Sequence, residues 1–361
     1  MATRTQTHTT LDQVDSKFGS LALRGSHEPL HKKGLLDDKA KFDFIELTPV
    51  IGRQYDNIQV KDLLVADNAD ELLRELAITV SERGVVIFKN QDLTIPEQTE
   101  LGDRLGRLSG RPTNSGLHIH PVARSSELPA EISSIDSIRR PFYERDPKAT
   151  SQLASTGWHS DITFEKVPSD FALLKVHTLP ETGGDTLWAS AYEAYDRLSP
   201  AYKKFLEGLT ATHDANRFHD VAKAAGTEAY VKVRGNPLND GPDYSAVHPV
   251  IRTNPVTGWK GLFVNAGFTK RINELSKDES DDVLSFLRKI IAENHDLQVR
   301  HRWGKNDLAI WSNTSTVHTA TWDYGSERRT GDRVVSIGEK PFYDAQSKSR
   351  REALGLPSLH A

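Results

Sequence analysis

The sequence contains no cysteine. That excludes disulfide frameworks, thiolate catalysis, iron–sulfur clusters and cysteine-ligated zinc together, so any metal must rest on His, Asp or Glu. An excess of charge is also missing, since 46 basic against 50 acidic residues give a formal net charge of -4. Such a chain has no net field to draw in nucleic acid or an anionic membrane, and any anion site must be local. No apolar run reaches the roughly 20 residues of a spanning helix, and the opening MATRTQTHTTLDQVDSKFGS lacks the apolar core of a secretory signal. Asp12 and Asp15 argue against a mitochondrial presequence. Internal repeats and low-complexity tracts are absent as well. The expectation is a cytoplasmic protein with neither nucleic acid nor membrane as partner, and 361 residues suffice for a large core.

Residues 1–42, rich in Thr, Lys, Asp and His, read as a polar N-terminal arm, extended or partly disordered. One domain is expected over 43–361, beginning near FDFIELTPV. Leu72, Leu73, Leu76, Ala77 and Val80 recur at helical spacing between Asp70 and Arg83, and Gly84 ends the pattern before the strand VVIF. TIPEQ opens a second helix with Thr94 and Glu97 as a capping box and Pro96 in the first turn. From Phe171 the signal becomes β: FALLKVHT, AVHPVIRT, GLFVN, LQVRHRW, DLAIWSN and RVVSIG, separated by Gly, Pro, Asn and Asp. Two helices interrupt this series, one capped by Ser190 with Glu193, the other by Ser276 with Glu279. The fold class is therefore α+β with a mainly β core, a sandwich or barrel with flanking helices. The segment 123–156 is long, charged and broken by proline, and reads as a lid.

That segment ends at GWHSDITF, where His159 and Asp161 stand two residues apart. By itself the pair says little, because 14 histidines give about two such pairs by chance, and His159 could be an ordinary strand or core histidine. In an extended segment, however, residues i and i+2 share a face, so the two side chains could hold one metal while Ser160 turns away. A facial triad needs a second histidine, and His318 in IWSNTSTVHTATWDY follows a hydrophobic strand. Arg329 and Arg333 come next, in RRTGDRVVSIGEKPFY, and GGDTLW lies at Gly183 to Trp188. Taken singly, Arg333 could be a surface ion pair, His120 in GLHIHPV a strand histidine, and Gly-Gly a bare turn. Trp158, Trp188 and Trp311 read as core residues.

Together these motifs resemble the taurine dioxygenase family of Fe(II)- and 2-oxoglutarate-dependent oxygenases, from about Phe44 to Tyr343. The resemblance implies a double-stranded β-helix, or jelly roll, with flanking helices. It implies His159, Asp161 and His318 as iron ligands, and Thr186 with Arg329 as the clamp on the distal carboxylate of 2-oxoglutarate. It also implies His120 and Arg333 as contacts to a substrate sulfonate, with Ile162, Phe263 and Ser155 beside them. Three ligands leave positions open for the 2-oxoacid and dioxygen. A planar arginine fork suits a carboxylate as no lysine can. The reaction implied is hydroxylation of the carbon bearing a sulfonate, with release of sulfite, an aldehyde, succinate and CO2, by an enzyme expected to be a homo-oligomer.

On the amine side of the substrate the family pattern is broken. Ala123 stands where taurine dioxygenase has a tyrosine, and Ser155 where it has an asparagine. A site stripped of its amine partners loses discrimination for an amine, so an alkylsulfonate is expected in place of taurine. Two other readings stay open at this point. One is an oxygenase of the same family acting on an alkyl sulfate, an aryloxyacetate or a biosynthetic carboxylate; the other is a jelly-roll binding protein without catalysis.

Overall fold

The structure is a computed structural model and describes residues 28–123, 127–137 and 156–360. Its centre is a seven-stranded sheet in the order Phe44–Glu46, Arg53–Tyr55, Val85–Phe88, Asp307–Ser312, Ser169–Thr178, Thr330–Ile337, Ile132–Asp136. Only the pairing of Arg53–Tyr55 with Val85–Phe88 is parallel. Strand alternation divides the side chains between two faces. Leu308, Ile310, Phe171 and Leu173 join one core, and Ala309, Trp311, Ala172 and Leu174 join the other.

The first face is covered by two helices, one legible in the sequence from its apolar stripe and the other from its capping box. Ala69–Arg83 places Leu72, Leu73, Leu76 and Val80 on the sheet, and Ile95–Leu108 adds Leu101 and Leu105. The Thr94/Glu97 capping box starts the second helix, and Gly84 at φ +74° ends the first. Lys277–Glu293 begins with the Ser276/Glu279 capping box and lays Leu284, Leu287, Ile290 and Ile291 into a third core. In the shorter Ala191–Asp196, Ser190 accepts a hydrogen bond from the Glu193 backbone N–H.

Against the second face lies a three-stranded sheet, Gln298–His301, Thr186–Ser190, Thr316–Ala320. Trp188 and Trp311, with ring centroids 5.8 Å apart, fill the space between the two sheets. Trp158 is buried in the third core, as expected of a packing residue. The architecture is thus mixed α and β with many strands. Among the described residues no helix is long and apolar enough to cross a membrane.

Two segments differ from the sequence reading. The polar arm was placed at 1–42, yet residues 28–42 belong to the packed fold, with Leu36 fully buried. The cause is Glu75, itself buried, whose carboxylate accepts hydrogen bonds from the backbone N–H groups of Lys33 (2.8 Å), Gly34 (2.5 Å) and Leu35 (3.2 Å). Within the expected lid at 123–156, Ile132–Asp136 is a strand that pairs along Thr330–Ile337 at the edge of the main sheet. Residues 1–27, and the lid's residues 124–126 and 138–155, lie outside the described part.

Candidate active site

His159 and His318 face each other across a single β-bridge, in which each backbone N–H donates to the other's carbonyl at 2.9 and 2.8 Å. The bridge extends the three-stranded sheet by one residue and brings the imidazoles to a centroid separation of 4.3 Å. Asp161 completes the group, with Oδ1 4.0 Å from His159 Nε2 and Oδ2 4.0 Å from His318 Nε2. One ligand atom from each residue lies within 4.8 Å of the others, so the three can hold a metal ion. The sequence expected an extended segment through both His159 and Asp161. Only His159 is extended; Asp161 to Phe164 form a turn in which Ile162 takes φ +51°. A β-branched residue in that region is strained, and a hydrogen-bond network compels it. His248 Nε2 meets the carbonyls of Thr163 (2.9 Å) and Glu165 (3.1 Å), while His213 Nδ1 and Asn265 Nδ2 meet the Thr163 hydroxyl at 2.9 and 3.1 Å.

The donor set suits a divalent metal. His159 Nδ1 lies 2.8 Å from the Gly157 carbonyl, which fixes its proton there and leaves the Nε2 lone pair to the site. Burial pushes both imidazoles down, His318 to about 3, so they are neutral. Burial alone would raise Asp161, but Arg333, His318 and His159 outweigh it and hold the carboxyl down at about 2. Two neutral imidazoles and one ionised carboxylate are the protonation states that metal binding requires. Asn313 fixes the carboxylate: its Oδ1 accepts from the Asp161 N–H (3.0 Å) and from Trp311 Nε1 (3.1 Å), and its Nδ2 faces Asp161 Oδ2 at 3.4 Å. No glycine substitute fits at Gly267, because a Cβ there would stand 2.9 Å from that of His159.

Arg329 is buried as well. Its Nε donates to the Gly184 carbonyl at 2.8 Å and its Nη2 to the Thr186 hydroxyl at 3.3 Å, which also accepts from Trp303 Nε1 at 3.0 Å. Gly184 sits at φ +73°, and a Cβ there would approach Arg329 Cδ to 2.9 Å. The Gly-Gly of GGDTLW is thus a close backbone approach to the arginine.

A cleft of about 690 Å³ opens onto two of the candidate ligands, His159 and Asp161, and is also lined by His120, Ile162, Phe218, Phe268 and Arg333. Arg333 Nη1 donates to Asp161 Oδ1 at 2.5 Å, while its Nε is buried without a hydrogen-bond partner among the described residues. His120 Nδ1 accepts from the backbone N–H groups of Val122 (3.2 Å) and Ala123 (3.0 Å), which places the imidazole proton on Nε2. Of the expected substrate contacts, His120, Arg333 and Ile162 come together here. Phe263 does not: it is buried against His213, His248 and Arg252, and Phe268, five residues on, lines the cleft instead. Ser155 lies outside the described residues. Thr186 and Arg329 adjoin each other, away from the cleft lining. Sequence reasoning missed Phe218, Phe268, Arg217, Lys270, Arg288 and Lys289, which reach the cleft from separate elements. Asn313 was legible in principle, inside the same run as His318.

Residues 43–335 match the taurine catabolism dioxygenase TauD, TfdA family. The alpha-ketoglutarate-dependent dioxygenase esdpJ of Penicillium shearii is 41% identical to this chain, over 94% of it and 99% of that protein. The alpha-ketoglutarate-dependent sulfonate dioxygenase of Saccharomyces cerevisiae is 30% identical, over 91% of this chain and 76% of that protein. A solved taurine dioxygenase from Burkholderia xenovorans shares the fold, with a TM-score of 0.63 at 24% identity over 83% of this chain and 92% of its own. Matched over so much of its length, the chain belongs to the TauD/TfdA family and is an alpha-ketoglutarate-dependent dioxygenase, with Fe(II) and 2-oxoglutarate as its cofactors.

Proposed function

We propose that this dioxygenase hydroxylates the carbon bearing a sulfonate, and that its substrates are alkylsulfonates without an amine in preference to taurine. The observation that carries the reading is the meeting, in one cleft, of Arg333 and His120 with His159 and Asp161, two members of the cluster that His318 completes. His159, Asp161 and His318 would hold Fe(II), with Asn313 orienting the carboxylate. When bound, iron with 2-oxoglutarate and dioxygen supplies the oxidant and releases succinate and CO2. Arg329, steadied by Gly184 and Thr186, offers its fork to the distal carboxylate of 2-oxoglutarate. His120 Nε2–H and the Arg333 guanidinium bind the sulfonate and set its carbon toward the ligands, while Ile162, Phe218 and Phe268 exclude water. The C–H bond becomes C–OH; the C–S bond then breaks with its electron pair leaving on sulfite, and loss of the hydroxyl proton gives the aldehyde.

The alternative within the family is another anion, a sulfate ester or a carboxylate, since esdpJ, the relative at 41% identity, carries no substrate in its name. Sulfite decides between them. One sulfite per succinate is expected across linear alkylsulfonates, with a higher kcat/KM than for taurine. Succinate without sulfite from every sulfonate moves the enzyme to the alternative.

The reading takes residues 43–361, with the packed segment 28–42 against them, as one dioxygenase domain with a double-stranded β-helix core, supported by the Trp188–Trp311 packing between the two sheets. It also takes the enzyme as a cytoplasmic homo-oligomer. Support for assembly comes from Phe205 and Phe286, 42% and 45% exposed, whose rings both meet Tyr202. A Phe205→Glu/Phe286→Glu variant is expected to elute as a smaller species in size-exclusion chromatography.

A further inference from the structure

Burial divides the active-site cleft into two ends. At the inner end His120, Asp161 and Arg333 are buried, with Ile162, Phe218 and Phe268 forming an apolar collar. At the mouth stand Arg217, Lys270, Arg288 and Lys289, against the single carboxylate of Glu293. Arg217, Lys270 and Lys289 are exposed and Arg288 is half-buried. Three separate segments deliver these cations: Arg217 precedes the helix Phe218–Ala224, Lys270 lies in Thr269–Ile272, and Arg288 and Lys289 lie in Lys277–Glu293. Among the described residues none of the four is within 4.0 Å of a carboxylate.

Lysines and arginines on a protein surface usually find acids nearby, as Lys277 does with Asp281 on the same helix at 2.5 Å. Arg288 does not, although its position is fixed. Its Nη2 donates to the Thr269 carbonyl at 2.8 Å, and its Nε is buried with no hydrogen-bond partner among the described residues. A half-buried guanidinium held by one backbone bond, with another donor unused and Asp281 acting on it only from beyond ion-pair distance, is a receptor for a negative group supplied from outside.

We infer that the physiological substrate is a dianion: an acid group at the reacting end for His120 and Arg333, a short apolar spacer, and a second acid group for Arg288 with Lys289, Lys270 and Arg217. The inference rests on the proposed reading of the inner end as an anion site, and adds the chemistry of the other end. The collar of Ile162, Phe218 and Phe268 fits methylene groups and offers nothing to a polar middle. Taurine is excluded on the same ground, because its ammonium group would point toward a mouth of like charge.

The test compares ligands matched in length: an alkylsulfonate with a methyl end, the same chain ending in a carboxylate, and the disulfonate. Binding is measured anaerobically by calorimetry on the full chain loaded with Fe(II) and 2-oxoglutarate, and turnover by succinate and sulfite. The dianions are expected to bind about tenfold tighter than the methyl-ended ligand, the scale of one charge pair in a partly screened site. An optimum in spacer length is expected as well. In Arg288→Ala/Lys289→Ala the ratio of dianion to monoanion affinity is expected to fall to near one. Equal affinities, no binding by either class, or a preference indifferent to spacer length overturns the inference, the last because it marks a general field at the mouth. Its failure separates from that of the sulfonate reading. Dicarboxylates that yield succinate faster than monocarboxylates, with no sulfite from any sulfonate, would sink the latter alone. Methyl-ended sulfonates that yield sulfite as readily as the dianions would sink the former alone.

Discussion

The two faces of the seven-stranded sheet have opposite chemistry. On the helix-covered face, Leu73, Leu76, Val80, Leu101 and Leu105 meet Phe88, Leu173, Leu308 and Ile310, all buried, in a core of apolar side chains. On the other face Trp188 and Trp311 share the interior with Asp161, Asn313, His213, His248, Glu165 and Arg333, all equally buried. The first face stabilises by area removed from water and tolerates small adjustments of any one side chain. The second holds fixed donors and acceptors whose stability depends on every partner, and some, among them Arg333 Nε and His318 Nδ1, have no hydrogen-bond partner among the described residues. Function sits where the fold is least self-sufficient.

Substitutions on the two faces should therefore separate activity from stability. The largest effect is expected from Asp161→Ala, which removes a ligand candidate and leaves Arg333 unpaired: metal affinity by calorimetry and succinate formation should both fall by roughly a thousandfold or more. Undiminished Fe(II) binding would break the assignment. On the opposite face, Leu101→Ala should cost about 2–5 kcal/mol in denaturant unfolding, with kcat/KM at low temperature close to that of the parent. A parallel loss of activity would show that the two faces are coupled.

Smaller effects sharpen the contrast. Arg329→Lys should raise the 2-oxoglutarate requirement roughly ten- to a hundredfold, about 1.5–3 kcal/mol for a charge-assisted pair, while metal binding survives. If substrate affinity fell in its place, Arg329 and Arg333 would have exchanged roles. Asp307 is a buried charge of a different kind, since it is fully paired: Lys89 donates to its carboxylate, as do the Gly304 N–H (2.7 Å) and the Asn90 N–H (3.1 Å). Burial alone would raise it, but His301, Lys89 and these N–H groups hold the carboxyl at about 2. A depressed carboxylate contributes stability above its unfolded pKa of roughly 4 and loses it as pH falls toward the folded value. Unfolding at a series of pH values should thus show about 2 kcal/mol less acid sensitivity between pH ~4 and ~2 in Asp307→Asn. The smallest effect is at the entry to the second helix, where Thr94→Ala should cost about 1 kcal/mol and leave the kinetics alone.

What the sequence revealed follows the same division. Helices with an apolar stripe or a capping box, such as Ala69–Arg83 and Ile95–Leu108, were legible because period and cap are local signals. So were the three candidate ligands, because His159, Asp161 and His318 stand in recognisable runs. The turn at Ile162 was not, since nothing local favours an isoleucine at φ +51° and the histidines that impose it lie far along the chain. The strand Ile132–Asp136, with sequence ISSID, looks like loop and is made a strand by the edge it meets. Phe268 displaced Phe263 as the aromatic group at the cleft because alternation past Leu262 breaks where that strand ends. The cationic mouth was invisible for a simpler reason. It exists only once three distant segments come together.

The bridge between His159 and His318 has a consequence for how the protein is made. A ribosome delivers the first two candidate ligands together, and the third only about 160 residues later. Until the strand Thr316–Ala320 has emerged and docked, the nascent chain offers two ligands at most. Loading with a redox-active ion is thereby deferred until the segments that carry all three ligands have been made, and a product terminated before His318 carries no competent centre to misfire.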